Sequence, residues 1–151
     1  MKINAFFAFL HFFAVFGIFA TVYLEWQTMS PAPNLEEARR IQLSDRWYGI
    51  FAGLVLAVGV IRVYYFEKGA DFYIASPFFR AKLLLFLLAG LLSIYPTIRF
   101  IKWRPQTKQG MPPVVSAAQY RYIMLVLRLE LVLLLGAAAC ASLMSRGVGQ
   151  A

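Results

Sequence analysis

Cysteine and histidine each occur once in this chain, as Cys140 and His11, and the carboxylates number seven against 15 lysines and arginines. A single cysteine excludes an intrachain disulfide and a cysteine-built metal cage. The scarcity of acidic residues leaves no paired carboxylates for general acid–base work, because Glu130 alone is read inside an apolar run. His11 has no third member nearby for a serine–histidine triad, and no glycine-rich phosphate loop occurs. Charged residues make up only 15% of the 151 positions and apolar ones 61%, which excludes an ordinary soluble domain.

What the chain has is length of apolar sequence. Four runs stand out at about 3–24, 47–66, 81–98 and 122–143. Each is close to the roughly 20 helical residues needed to cross about 30 Å of hydrocarbon. The expected fold is therefore all-α, an integral membrane four-helix bundle, with residues 1–151 as a single transmembrane domain. Lys2 followed by an apolar run resembles a secretory signal, but the run exceeds the roughly 7–15 residues of an h-region and no clear small-x-small cleavage site follows. It is read as a retained helix. Trp26, Trp47 and Trp103 fall at the expected span ends, where indoles favour the interface.

Between the first two spans, Ser30-Pro31-Ala32-Pro33-Asn34 breaks the chain, and 35–46 reads as a short amphipathic loop segment on the membrane face. Glu25 and Trp26 are placed at the same interface. Gly49-x-x-x-Gly53-x-x-x-Ala57 in the second span predicts close approach to a neighbouring helix, within the molecule in preference to a dimer seam. Glu67–Asp71 forms the second link. In the third span Phe86, Ala89, Ser93 and Pro96 share a face, small in the middle. The stretch 102–116, with Pro105, Gly110, Pro112 and Pro113, reads as an irregular basic loop.

The net charge of +8 raises nucleic acid as a partner, but its distribution argues for topology instead. Arg39, Arg40, Arg46, Arg99, Lys102, Arg104, Lys108 and Arg121 cluster around loops one and three. Lys2, Arg62, Lys68, Arg80 and Arg146 are at the opposite ends. Lysine and arginine bias sets orientation, so loops one and three are expected in the cytoplasm and both termini in the periplasm of a bacterial inner membrane.

The ionisable residues within the spans carry the functional signal: His11 in the first, Lys82 in the third, Arg128 and Glu130 in the fourth. Buried charge is costly in lipid, so such residues face the bundle, pair there and mark function. His11 is roughly 12 Å into a helix that starts outside. Lys82 is one turn inside a helix running the same way, so the two fall in the same half of the membrane. Arg62 and Arg80 lie on that side too, and Arg121 and Arg128 share a face of the fourth helix. An imidazole can ligate haem iron, and a lysine can do so as the free amine. A bland alternative stands beside this: His11 hydrogen-bonds across helices, and Lys82 snorkels to the interface.

A resemblance adds to that balance. Phe9-Leu10-His11, Arg46-Trp47-Tyr48-Gly49, Phe79-Arg80-Ala81-Lys82-Leu83 and the Arg128-x-Glu130 pair among leucines resemble, in order, the small four-helix HemJ-type protoporphyrinogen oxidases. The chain is more similar still to the family called domain of unknown function 2214, a distant relative, over about 7–135. The oxidase resemblance implies a haem b–binding membrane protein with His11 and Lys82 as iron ligands. Arg62, Arg80 and Arg128 are then candidates for pairing with the propionates. Leu129-Glu130-Leu131-Val132 departs from the oxidase pattern of Asn-Glu-x-Pro. No Cys-x-x-Cys-His motif is present, so the haem would be held noncovalently.

Three functions follow: redox work by electron transfer or porphyrinogen oxidation, an accessory or assembly subunit of a larger membrane complex, and transport. Transport ranks last for want of an inverted repeat. Expected partners are the bilayer, haem and a second copy or larger complex. The topology predicts that cysteines placed in 102–116 are labelled only from the cytoplasmic face; labelling from the periplasmic face would overturn it.

Overall fold

The computed structural model describes residues 2–66 and 70–147. Its regular elements are all helices, in the order α1 (Lys2–Thr28), α2 (Leu35–Ile61), α3 (Ala70–Ala75), α4 (Pro77–Lys102), α5 (Arg104–Lys108) and α6 (Ala117–Ser145). Four of these helices, α1, α2, α4 and α6, are long and apolar enough to cross a membrane. Helices are the expected solution, since each backbone N–H and C=O finds its partner within the segment. The bundle is an all-α membrane protein, and much of its surface is apolar. Phe6, Phe9, Phe12, Phe13 and Phe16 of α1 are each more than half exposed, which suits a lipid solvent.

Helix ends are set by local chemistry. Asn34 accepts from the Glu37 backbone N–H at 2.8 Å, while Glu37 accepts from the Asn34 N–H at 2.9 Å, a reciprocal cap on α2. Ser30 donates to the same Glu37 carboxylate at 3.0 Å and ties down the break before it. Pro77 occupies the first turn of α4, and Ser116 caps α6 by accepting from Gln119 N–H.

The segment 35–46 differs from its expectation: it is nearly the first half of α2, continuous with the second span. Its capping box and its packing against α1 hold it upright. There Arg39 donates to Thr107 O at 3.1 Å and Gln42 to Phe100 O at 2.9 Å, joining it to α5 and the end of α4. The expected irregular loop 102–116 likewise contains α5. At the other end, α2 runs into a single π-helical turn, Arg62–Phe66. Of the expected second link, Glu67, Lys68 and Gly69 lie outside the described residues.

The helices form two antiparallel hairpins, α1 with α2 and α4 with α6, whose internal contacts are the most extensive. Helix α1 joins the hairpins through α6, while α2 and α4, the other pair of neighbours across the hairpins, touch less. Association in lipid depends on close packing and interhelical hydrogen bonds, not on burial from water. Gly17 lets the Phe51 ring lie against α1, and Ser44 donates to Thr21 O at 2.9 Å one turn further along. The predicted face of α4 is the buried one: Ala89, Ser93 and Pro96, continued by Phe100.

The small-residue stripe of α2 does not pack within the molecule as expected. A Cβ at Gly49 or Gly53 would meet no atom within 4 Å, and Ala57 is exposed. Gly17, on α1, is the glycine that carries the close approach. A Cβ there would stand 2.5 Å from the Phe51 ring. Gly17→Ala is therefore expected to destabilise the fold by about 1–3 kcal/mol through overpacking. Gly53→Ala is expected to stay within about 0.5 kcal/mol. Unfolding in detergent micelles measures both, and equal stabilities would contradict the packing described.

Candidate functional site

Two polar layers occupy the bundle. The first lies toward the termini. His11 is half-buried on α1 with its ring edge against α2: a Cβ on Gly59 would come to 3.5 Å of His11 Cε1 and 3.9 Å of Nδ1. That Nδ1 is buried and has no hydrogen-bond partner. Arg62 and Lys82 both lie within electrostatic reach of the imidazole. The Lys82 ammonium sits 4.9 Å over the Phe79 ring, one turn back on α4. One turn back on α1, Phe7 stacks on Phe66 at 5.1 Å between ring centroids, closing this layer with an apolar wall. The sequence-level grouping of His11, Lys82 and Arg62 is thus brought together from α1, α4 and the end of α2.

The other two expected residues are placed differently. Arg80 is exposed at the start of α4, on the same end of the bundle. Arg128 is exposed on α6, directly away from the core, because Leu127, Glu130 and Leu134 take the buried face. An offset of about 200° from Glu130 gives it the opposite direction. It therefore does not belong with His11 and Lys82.

The second layer lies toward loops one and three, and acidic residues dominate it. Glu130 is 1% exposed and Glu25 is 3% exposed, each with an Oε1 that is buried and unpartnered. Asp45, 8% exposed, accepts from Thr97 Oγ1 at 2.5 Å. Asp45 and Glu130 both act electrostatically on Glu25, so the three carboxyl groups, from α1, α2 and α6, form one neighbourhood. Tyr48 is in reach of all three. Tyr48 and Ser93 share a side-chain hydrogen bond, and the Ser93 hydroxyl also lies 2.7 Å from Gly90 O, to which it donates.

Asp45, Tyr48 and Ser93 are the buried floor of an open groove of about 330 Å³ between α2 and α4. Gly49, Ile94 and Ile98 form its exposed rim. The groove exists where α2 and α4 touch less than α1 and α6 do, and glycines at 49 and 90 keep it wide. It bears protein acceptors but no basic side chain; Arg104, on α5, is the cation in electrostatic reach of Asp45.

This layer corrects two readings of the sequence. Glu25, placed by sequence at the interface, is buried among the helices, and Glu130 is not the only carboxyl group inside the bundle. Glu25 and Asp45 stand at the edges of apolar runs, where helix extensions bury them in ways hydropathy does not register. The available signal was spacing: Asp45 and Tyr48 are three apart and share a helical face. Among the described residues, no group of three or more His, Cys, Asp or Glu side chains is arranged to hold a bare metal ion.

The Thr97 hydroxyl is the donor that satisfies buried Asp45 Oδ1. Thr97→Val is expected to cost about 1–3 kcal/mol, the penalty of an acceptor left buried without a partner, while Thr97→Ser keeps the donor. Unfolding midpoints of the two variants in the same detergent check this; equal midpoints would show that the bond carries no stability.

Comparison with curated proteins finds no match, and comparison with solved structures finds none either. A family model does match, over residues 3–149, nearly the whole chain. With its four apolar helices and its polar layers turned inward, the chain belongs to DUF2214, a family of predicted membrane proteins.

Proposed function

We propose that this membrane protein binds one haem b noncovalently through His11 and works in redox chemistry, by electron transfer or porphyrinogen oxidation. The observation that carries the reading is the buried, unpartnered Nδ1 of His11, with Arg62 and Lys82 in electrostatic reach. A buried imidazole nitrogen without a partner is uncommon in a packed protein. The donor set would suit a macrocycle better than a bare ion, because a haem supplies most of its iron's ligands itself and asks the protein for only one or two. One imidazole with one amine meets that need, where three-ligand metal clusters are lacking among the described residues.

His11 would hold the iron through a ring nitrogen. Lys82 would serve as second ligand once its amine is deprotonated, since an ammonium has no lone pair. Arg62, and Arg80 at the exposed start of α4, would pair with carboxylate side groups near the interface. When bound, haem iron supplies one-electron exchange, and the apolar wall of Phe7 and Phe66 limits water around it. The resemblance in motif order to the HemJ-type oxidases supports the same assignment. The cation asymmetry supports a bacterial inner membrane location with both termini in the periplasm.

Two variants test the ligands. His11→Ala is expected to lose haem from the purified protein, seen as loss of the Soret band. Lys82→Arg is expected to keep haem but lose the low-spin, six-coordinate spectrum, because guanidinium stays protonated. Full occupancy and an unchanged spectrum in His11→Ala would identify His11 as a packing residue. An unaltered spectrum in Lys82→Arg would leave Lys82 as an interfacial cation.

A further inference from the structure

Arg128 and the groove between α2 and α4 are both unexplained by a haem site, and they complement one another. Arg128 is exposed among Leu125, Leu129 and Val132, seven residues or about 10 Å beyond Arg121 along α6. It forms no hydrogen bond or ion pair with the described residues. A guanidinium in hydrocarbon is expensive, and residues of this kind in spans pair with one another or with backbone carbonyls. The groove has the opposite deficit. Asp45 in its floor is a carboxylate that accepts from Thr97 O–H alone, and no lysine or arginine lines the groove. Glu25 and Glu130 lie behind it with unpartnered oxygens.

Depth matches as well. Tyr95 packs on Tyr122 at 5.1 Å between ring centroids, and Leu85 lies beside Gly136. That register sets residue 128 level with 89–93 of α4. Side chains lean toward the N-terminus of their helix, which brings the Arg128 head to the level of Ser93 to Thr97. Two copies in the same bilayer with the same orientation therefore present guanidinium and groove at one depth. The rim offers little obstruction: Gly49 and Gly53 have open space beside them, and small residues allow helices to approach in lipid.

We infer that copies of this chain associate in the membrane by inserting Arg128 of one copy into the α2–α4 groove of the next, where it donates to Asp45. The reading is independent of haem. Donor and acceptor are on different faces of the chain, so the contact is head-to-tail, a type that builds closed rings or open chains of copies according to its rotation. Five N–H donors on a planar fork suit a floor that holds a carboxylate beside two hydroxyl oxygens.

Complementation between variants tests this. The chain, labelled in two colours and reconstituted in phosphatidylcholine vesicles, is expected to show energy transfer between copies. Arg128→Gln alone and Asp45→Ala alone should each lower association at least tenfold. Mixing the two variants should restore it, because the first keeps an intact groove and the second an intact arginine. Recovery in the mixture also shows that both variants are folded. Mixed assemblies should stop at pairs in photobleaching counts, since each has only one competent contact. A monomeric wild type, Arg128→Gln that associates as wild type does, or a mixture without recovery would each overturn the inference. A wild type that stays monomeric while dodecylamine binds it, with binding lost in Asp45→Ala, would assign the groove to a lipid-borne amine instead.

Discussion

In hydrocarbon, every polar group must be satisfied by the protein itself, and this constraint organises the whole molecule. The backbone answers with helices alone. Side chains answer by position: Phe6, Phe9, Phe12, Phe13 and Phe16 of α1 face outward, while His11, Glu25, Asp45 and Glu130 turn toward the interior. The hydrophobic effect, which would bury apolar surface in water, gives no preference between leucine against lipid and leucine against another helix. What remains to hold the helices is close packing and hydrogen bonds, and both appear where the hairpins form. Gly17 beneath Phe51 and Ser44 on the Thr21 carbonyl join α1 to α2 within two turns.

The same constraint gives meaning to the places where satisfaction fails. The unpartnered atoms His11 Nδ1, Glu25 Oε1 and Glu130 Oε1 belong to two separate layers. Helix α2 passes through both, with Asp45 and Tyr48 in one and Gly59 and Arg62 at the other. The 11 residues from Tyr48 to Gly59 put about 16 Å between the layers. One layer holds an imidazole with two cations, the other three carboxyl groups with a tyrosine. Chemistry of opposite sign at the two ends of the bundle suits two duties, a cofactor at one end and a contact or ligand at the other. The weak α2–α4 edge is what opens the acidic layer to the membrane.

Period and length made the fold legible from sequence: four apolar runs near 20 residues permit little besides a helical bundle. The grouping of His11, Lys82 and Arg62 was legible for the same reason, since helices crossing a slab in alternate directions fix the depth of each residue. Direction around the helix was harder to read. A charge in a span usually faces inward, yet Leu127, Leu134 and Glu130 of α6 define a core face that excludes Arg128. The glycine stripe of α2 was assigned an internal partner, while the neighbouring helix that would fill it stands off across a groove. Glu25 and Asp45 were lost to the interface because the helices outrun their apolar cores: Asn34 and Glu37 start α2 about a dozen residues before its hydrophobic stretch, carrying a charged segment up beside α1 and α4.

The absorption spectrum of the purified wild-type protein, made in cells supplied with haem, tests the central claim most directly. The account predicts a Soret band, reduced b-type peaks and close to one extractable haem per chain. A colourless protein that takes up no haem on titration would contradict it, and would leave His11 as a residue that packs α1 against Gly59.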